Sequence, residues 1–314
     1  MPSIGPAPHR SQRGLATPET RAAPMTLPTP PRFDERGSAA HAQPWLLPLR
    51  RSAAGVAADE AQVGDLSVRA ASVVGPGHRC TEPVVPRQDA YQLGRDRASR
   101  YLVVAVADGV SDSPHADIGA RVAVQCAVDV LTARLDRAET LSRLSAADVL
   151  RVAAAEMSRA ASGVGLTERD VRAVMVVAVV EAAAASGGSR RTWVGWVGDV
   201  SVWRRAERGW QFVLGDARGH PGGLRAGEVG SVLPMDWSRA DQELLTVHPG
   251  ETLALVTDGV GDLWSVHERA NAYHHRRWSS PPPVASFLND VCFDAFGEDD
   301  DRTAVVVWVP GASR

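Results

Sequence analysis

From Gly64 onward, short apolar runs alternate with amphipathic stretches, which is the pattern of a domain that contains both strands and helices. Residues 171–180 are apolar at successive positions, as is typical of a central strand covered on both faces. Shorter strands are predicted over 66–74, 101–107, 192–197, 201–205 and 210–214, in a run ending at Asp258, and over 303–309. Tight polar connections between 192 and 214 predict that the three short strands in this region form a meander.

Helices are predicted between these groups of strands. They follow the polar turn at 111–114, span 145–162 with Ser145 as the N-cap, and lie around 262–272 and 283–296. In the first of them, apolar residues recur at every fourth position: Ile118, Val122, Cys126 and Val130. We expect this stripe to face a sheet. Because strands are grouped before and after paired helices, the order favours α+β layers over a strictly alternating parallel fold.

The N-terminal region has a different composition. Residues 1–60 are rich in Pro, Ala, Arg, Ser and Thr and lack a sustained period, so we predict a disordered tail. Within it, residues 45–49 read Trp-Leu-Leu-Pro-Leu and form either a short docking element or part of a plain tail. The predicted domain covers 61–310, and 311–314 form a second tail. The Gly-rich stretch 215–235 has no period and is predicted to be a long loop that contributes to substrate selection.

Composition excludes several classes of function. The formal net charge of −3 provides no electrostatic footprint for nucleic acid. Cys80, Cys126 and Cys292 are far apart, so neither a disulfide framework nor a zinc site is indicated. No apolar run approaches the roughly 20 residues needed to span a bilayer, and the N-terminus lacks a signal pattern. We therefore expect a monomeric, cytoplasmic protein that binds neither nucleic acid nor membranes.

Two apolar runs end in the same dipeptide, Asp-Gly. Asp108-Gly109 follows the run 102–107, and Asp258-Gly259 follows the run 253–257. A carboxylate at the end of a buried strand must reach water, a cation or a partner, and the glycine after it lets the backbone turn sharply. Two such strand ends suggest that both acids serve one site. Hard divalent cations are the usual reason to gather carboxylates.

In total, five aspartates lie where predicted strands meet turns: Asp89, Asp108, Asp199, Asp258 and Asp300. Any one of them is accounted for by the preference of Asp for turns, where its side chain bonds local backbone amides. The repeated pairing of Asp with Gly beside apolar strands favours a shared site instead. The scarcity of His and Cys near these acids indicates Mg²⁺ or Mn²⁺ rather than zinc.

The order of these motifs resembles that of the metal-dependent protein phosphatases, the type 2C or PPM family. The matching segments read Gln88-Asp89, Asp108-Gly109-Val110, Gly198-Asp199-Val200-Ser201, Thr257-Asp258-Gly259 and Asp300-Asp301-Arg302-Thr303. The resemblance extends from about residue 64 to residue 310. The segment 73–78, leading to Gln88-Asp89-Ala90, is similar to that of a divergent bacterial branch of the family.

This resemblance implies a four-layer αββα sandwich, with two antiparallel sheets flanked by helices and a metal site in a cleft at one edge of the sheets. It implies that Asp108 bridges two Mg²⁺ or Mn²⁺ ions and that the Gly109 carbonyl joins the second. Asp258 and Asp300 would complete the ligand set of the first ion. Asp89 would hold metal-bound water, and Asp199 a third, weaker ion.

The implied activity is hydrolysis of phosphoserine and phosphothreonine in phosphorylated proteins. Two cations can activate a bridging water for in-line attack on phosphorus, with Asp89, Asp108, Asp258 and Asp300 as the catalytic acids. Candidates for phosphate binding are His78, Arg79 and Arg87, although a histidine in a turn and solvated arginines on the surface are equally ordinary roles for these residues.

Several positions depart from the family pattern. Gln88 stands where some members have Glu, and Val110 replaces a His that serves as general acid in some members. Ser111-Asp112 replaces Gly-Gly, and Val202 occupies the place of an Arg. These changes leave open a second function, a binding or regulatory module that keeps the fold with little turnover. A two-metal hydrolase of small phosphoesters is a third possibility.

Overall fold

The computed structural model describes residues 29–36, 45–80, 82–183, 188–216 and 230–311. The strands are β1 (Val56–Val63), β2 (Leu66–Val73), β3 (Ala90–Arg95), β4 (Tyr101–Gly109), β5 (Ala173–Glu181), β6 (Arg190–Val197), β7 (Ser201–Arg205), β8 (Trp210–Gly215), β9 (Asp241–Val247), β10 (Thr252–Val256) and β11 (Arg302–Trp308). The α-helices are α1 (Pro76–Arg79), α2 (Ala116–Asp136), α3 (Ala146–Gly163), α4 (Asp258–Val266), α5 (Glu268–Arg277) and α6 (Val284–Val291).

The strands form two antiparallel sheets. One has the order β1-β2-β11-β10-β7-β8, and the other has the order β3-β4-β5-β6-β9. The predicted meander is therefore only partly correct, since β7 and β8 form a hairpin in the first sheet whereas β6 lies in the second. The chain leaves β6 at Gly198, whose φ of +83° is readily adopted only by glycine. This turn carries the chain from one sheet to the other.

Three apolar cores separate four layers. The central core lies between the sheets and contains alternate residues of β4, β5, β10 and β11, such as Val104 and Leu255. The intervening residues of β4 and β5, such as Val103, face α2 and α3. On the far side, Ala254 and Val256 of β10 pack with α4 and α6. This arrangement confirms the predicted αββα sandwich.

The predicted central strand is confirmed in β5, which is buried along its length except at its last residue. The sheet-facing side of α2 differs from the prediction. The stripe of Val122, Cys126 and Val130 is only half-buried at the margin of the core. The buried residues of this helix include Ala116, Gly119, Ala120, Ala123, Val124, Ala127, Val128, Leu131 and Leu135. Because most of these side chains are small, the helix approaches the sheet closely, a preference that hydrophobicity alone does not show.

Part of the N-terminal region packs against the domain. Phe33 is buried, and its ring centroid lies 5.5 Å from those of Tyr273 and His274. Strand β1 begins at Val56, so the predicted tail boundary at residue 60 falls inside this strand. The rest of the tail prediction, at 1–28 and 37–44, lies outside the described residues, as do 217–229 of the predicted loop and 312–314. In the described part of the chain, no helix has the length and apolarity needed to cross a membrane.

Candidate metal centre

Four of the five predicted acids line one cavity of about 290 Å³. Asp108 is contributed by β4 of the five-stranded sheet, and Asp199 lies in the crossing that follows β6. Asp258 is the first residue of α4, directly after β10, and Asp300 precedes β11 of the six-stranded sheet. The cavity is therefore built at the ends of strands from both sheets, as the Asp-Gly pattern predicts.

The glycines beside these acids are required by close packing. A Cβ on Gly109, which also lines the cavity, would lie 2.7 Å from the Cβ of Ala116 and 2.9 Å from the carbonyl oxygen of Gln88. A Cβ on Gly259 would lie 2.0 Å from the carbonyl oxygen of Asp301. Gly259 is inside α4 rather than in a free turn, so the sharp turn expected there is replaced by a close contact between the helix and the segment before β11.

Asp89 is buried next to this cavity, just before β3. Its Oδ2 accepts hydrogen bonds from the hydroxyls of Thr257 at 2.9 Å and Thr303 at 2.7 Å. Its Oδ1 is buried without a hydrogen-bond partner in the described structure. Asp89 lines a neighbouring cavity of about 450 Å³ rather than the one that holds the other four acids. Its charge nevertheless contributes to the electrostatics of Asp108.

Burial disfavours the ionised form of the aspartates in this cluster. It raises the pKa of Asp108 and of Asp258 well above the usual aspartate range, and the negative charges of neighbouring aspartates raise both further. A hydrogen bond between these two carboxyls acts in the opposite direction on Asp258. Burial also raises the pKa of Asp89 to about 7 and that of Asp199 above its usual value. Divalent cations would relieve this repulsion between acids.

The donor set fits Mg²⁺ or Mn²⁺. All the predicted ligands offer oxygen atoms, which these hard cations prefer. Two of the oxygens, Asp89 Oδ1 and Asp258 Oδ1, are buried without a hydrogen-bond partner in the described structure. Buried polar atoms normally have a partner. A bound cation would supply one for these two oxygens. The residues present thus fit a divalent metal centre at this cavity.

The structure adds a further acid that the motif order does not identify. Asp301, next to Asp300, is 1% exposed and lies with Asp300 and His78 in a cluster whose possible ligand atoms are all within 4.8 Å of one another. Motif order points only to the first aspartate of this pair. The one available signal in the sequence is that Asp301 stands immediately before the buried run of β11.

None of the three candidate phosphate-binding residues lines the acidic cavity. His78 Nδ1 is 2.9 Å from Asp301 Oδ1, and the guanidinium carbon of Arg79 is 4.1 Å from the ring centroid of Trp45. Arg87 lines the neighbouring cavity and donates from Nε to the carbonyl of Ala54 at 3.1 Å. Among the described residues, no basic side chain lines the acidic cavity.

Four of the residues that depart from the family pattern lie in two places, the cavity wall and the core between the sheets. Val110, Ser111 and Asp112 line the cavity, and Asp112 is paired with Arg172. Val202 is fully buried in the core between the two sheets, where an arginine could not be solvated. The structure therefore places apolar packing at the position where the family motif has Arg.

The fold and this acidic cleft define a phosphatase-type αββα sandwich. Residues 75–304 match the family described as "Protein phosphatase 2C". The chain belongs to this family. No curated protein matches the chain.

Two solved structures share its fold. The serine/threonine phosphatase of S. agalactiae aligns with a TM-score of 0.50 and 16% identity, over 78% of this chain and 99% of that chain. A structure described as a bacterial serine phosphatase aligns with a TM-score of 0.51 and 13% identity, over 79% of this chain and 99% of that chain. At these identities the similarity establishes the fold.

Proposed function

We propose that this protein is a metal-dependent phosphatase that hydrolyses phosphoserine and phosphothreonine in proteins. The observation that carries the proposal is the convergence of Asp108, Asp199, Asp258 and Asp300 on one cavity, where one carboxylate oxygen of Asp258 has no hydrogen-bond partner among the described residues. Membership of the phosphatase family supports the same reaction class. Mg²⁺ or Mn²⁺ ions, when bound, supply a hydroxide nucleophile at neutral pH and neutralise the phosphate charge.

The chain's own residues have distinct tasks in this proposal. Asp108 and the Gly109 carbonyl would hold two ions together, and Asp258 and Asp300 would complete the ligand set of the first. Asp89, fixed through Oδ2 by two threonine hydroxyls, would use its unpartnered Oδ1 to orient a ligand water. Asp199 would hold a third, weaker ion. All five carboxylates would act as anions once cations compensate their charges.

Substrate binding depends on the metal centre in this proposal. Because no basic side chain of the described residues lines the cavity, the ions would provide the main attraction for the phosphate group. Val110 cannot donate a proton, so the leaving oxygen of the serine or threonine would take its proton from solvent. Both features predict an enzyme whose activity is lost on chelation.

The test is phosphate release from p-nitrophenyl phosphate and a phosphothreonine peptide, with Mn²⁺, with Mg²⁺ and with EDTA. We expect turnover only with metal. Asp108→Asn and Asp258→Asn should each reduce it by at least about 100-fold, since outer partners of metal ligands alone contribute 10–100-fold. Asp112→Asn is the matched control, because Asp112 is an acid of the same cavity that is paired with Arg172. Turnover in Asp108→Asn, or in wild type with EDTA, that equals the turnover of wild type with Mn²⁺ would refute the proposal.

One observation favours a second function, a binding or regulatory module with little turnover. The described wall of the cavity combines five acids, including Asp112, with no basic group that would receive a phosphate. Under this alternative, calorimetry would detect Mn²⁺ binding that Asp108→Asn abolishes, while neither substrate would be hydrolysed.

A further inference from the structure

The carboxylate of Asp301 joins its own segment to two segments more than 200 residues earlier in the chain. Its Oδ1 accepts from the backbone N–H of Gly75 at 2.6 Å and lies 2.9 Å from His78 Nδ1. Its Oδ2 accepts from the backbone N–H of Gln88 at 2.5 Å and of Asp89 at 3.3 Å. The side chain of Asp301 is 1% exposed, so these four contacts replace water completely. The loop before α1, the segment before β3 and the segment before β11 therefore meet at one buried anion.

The cluster of His78, Asp300 and Asp301 has the spacing of a metal site, but the hydrogen bonds of Asp301 give this residue another task. Both oxygens of Asp301 already have two partners each, and a cation would have to displace backbone N–H groups that the described residues pair with Asp301. Leaving such buried donors unpaired is unfavourable. Asp301 is therefore an acceptor that organises the surrounding backbone rather than a metal ligand.

His78 extends this organisation to the cavity. While Nδ1 faces Asp301, Nε2 on the other side of the ring lies 3.9 Å from Asp300 Oδ1. The backbone before the ring is pressed against the same segment, because a Cβ on Gly75 would lie 2.2 Å from the carbonyl oxygen of Asp300. The imidazole is thus held between a buried anion and an acid of the cavity wall.

We propose that Asp301 and His78 are positioning residues for the metal centre, which orient Asp89 through its backbone and Asp300 through its side chain. This inference rests on the proposed function, since it assumes that Asp89 and Asp300 serve bound ions. Groups that orient metal ligands commonly affect affinity 10–100-fold without touching the metal. Here a single carboxylate would fix two of the acids at once.

An asparagine cannot reproduce the four contacts that Asp301 makes here. An amide has one acceptor oxygen and one NH₂ group, so the NH₂ group would face either the two N–H groups of the β3 side or Gly75 and His78. In either orientation a backbone donor faces another donor. The substitution should therefore shift the segments that carry Asp89 and Asp300 while keeping the size of the side chain.

The experiment measures Mn²⁺ affinity by calorimetry, together with thermal stability, in the full chain and in three variants. Asp301→Asn and His78→Gln should weaken Mn²⁺ binding by about 10-fold or more. Asp96→Asn is the matched control, because Asp96 is 0% exposed and accepts from the backbone N–H groups of Arg100 and Tyr101 at 2.6 and 2.9 Å. Asp96 lines none of the acidic cavity, so its loss should lower the melting temperature and leave Mn²⁺ affinity within about twofold of wild type.

Normal Mn²⁺ affinity in a folded Asp301→Asn variant would overturn the inference. Should that variant fail to fold, normal affinity in His78→Gln, whose ring is partly accessible, would overturn it equally. Weaker binding in Asp96→Asn to the same degree would also overturn it, since the effect would then be a general consequence of instability. A wild-type protein that binds Mn²⁺ without hydrolysing either substrate refutes the proposed phosphatase activity alone, because the affinities still decide the role of Asp301.

Discussion

Replacing Asp89 with asparagine removes a buried charge with little change in shape. The amide oxygen can accept from the hydroxyls of Thr257 and Thr303, as Asp89 Oδ2 does now. The NH₂ group then takes the place of Oδ1, which is buried without a hydrogen-bond partner in the described structure. In the absence of metal, we therefore expect Asp89→Asn to stabilise the fold, and to do so more strongly at higher pH.

The magnitude follows from the pKa of Asp89, which burial and the charge of Asp301 raise from 3.8 to about 7. Because the folded-state pKa is raised, stability linked to this group is fully present below pH 3.8 and is lost as the pH rises to about 7. At about 1.4 kcal/mol per pKa unit, the loss is on the order of 2 kcal/mol at pH 5 and 4 kcal/mol at pH 8. The advantage of the variant should therefore grow by roughly 2–3 kcal/mol between these pH values.

Urea denaturation in EDTA at pH 5 and pH 8 measures this difference, with Asp129→Asn on the exposed side of α2 as the control. Other titrating groups largely cancel because each variant is compared with wild type at the same pH. In a parallel series, Mn²⁺ should stabilise wild type more than Asp89→Asn, because a ligand that binds only the folded state stabilises it. A variant that is destabilised, or stabilised equally at both pH values, would refute the assignment of a buried, raised-pKa carboxylate.

Two further predictions concern backbone packing and a helix cap. Gly259→Ala should lower the free energy of unfolding by about 1–3 kcal/mol, since its Cβ would lie 2.0 Å from the carbonyl oxygen of Asp301. Gly163→Ala, which meets nothing within 4 Å, should cause no loss, and an equal loss in both variants would contradict the packing argument. Ser145→Ala should destabilise the protein by about 1 kcal/mol, because the Ser145 side chain accepts from the N–H of Asp148 at the start of α3. Urea denaturation checks these values, and unchanged stability in Ser145→Ala would show that the cap is dispensable.

Hydrophobic pattern predicts the interior strands and misses three at sheet edges. Strands β4, β5, β10 and β11 are buried on both faces, so long apolar runs mark them. Strands β1, β3 and β9 each pair on one side only, and their exposed or half-buried positions interrupt the apolar pattern. The edge strand β8 is predicted because Trp210 and Leu214 are buried in it. Edge strands are specified largely by pairing with a neighbour, which a single segment of sequence does not reveal.

The acids of the cavity can be predicted because a carboxylate at the end of a buried strand needs a cation, a partner or water. The role of Asp301 cannot be predicted from the sequence, because it depends on backbone N–H groups at Gly75 and Gln88, more than 200 residues away. Such donors are present at nearly every residue, so only the fold shows which of them meet a carboxylate. Similarly, the buried side of α2 depends on how closely its alanines approach the sheet.

Asp108 and Asp258 line the same cavity from opposite halves of the sandwich. Asp108 belongs to the five-stranded sheet, and Asp258 follows a strand of the six-stranded sheet. The apolar core between the sheets packs without directional bonds, and polar links such as Arg190 with Asp65 and Tyr91 with Asp59 join the sheets at its margins. An ion held by both carboxylates would link the five-stranded sheet to the six-stranded sheet. The metal content of the protein would then decide whether the two sheets are also tied together at the cavity end of the sandwich.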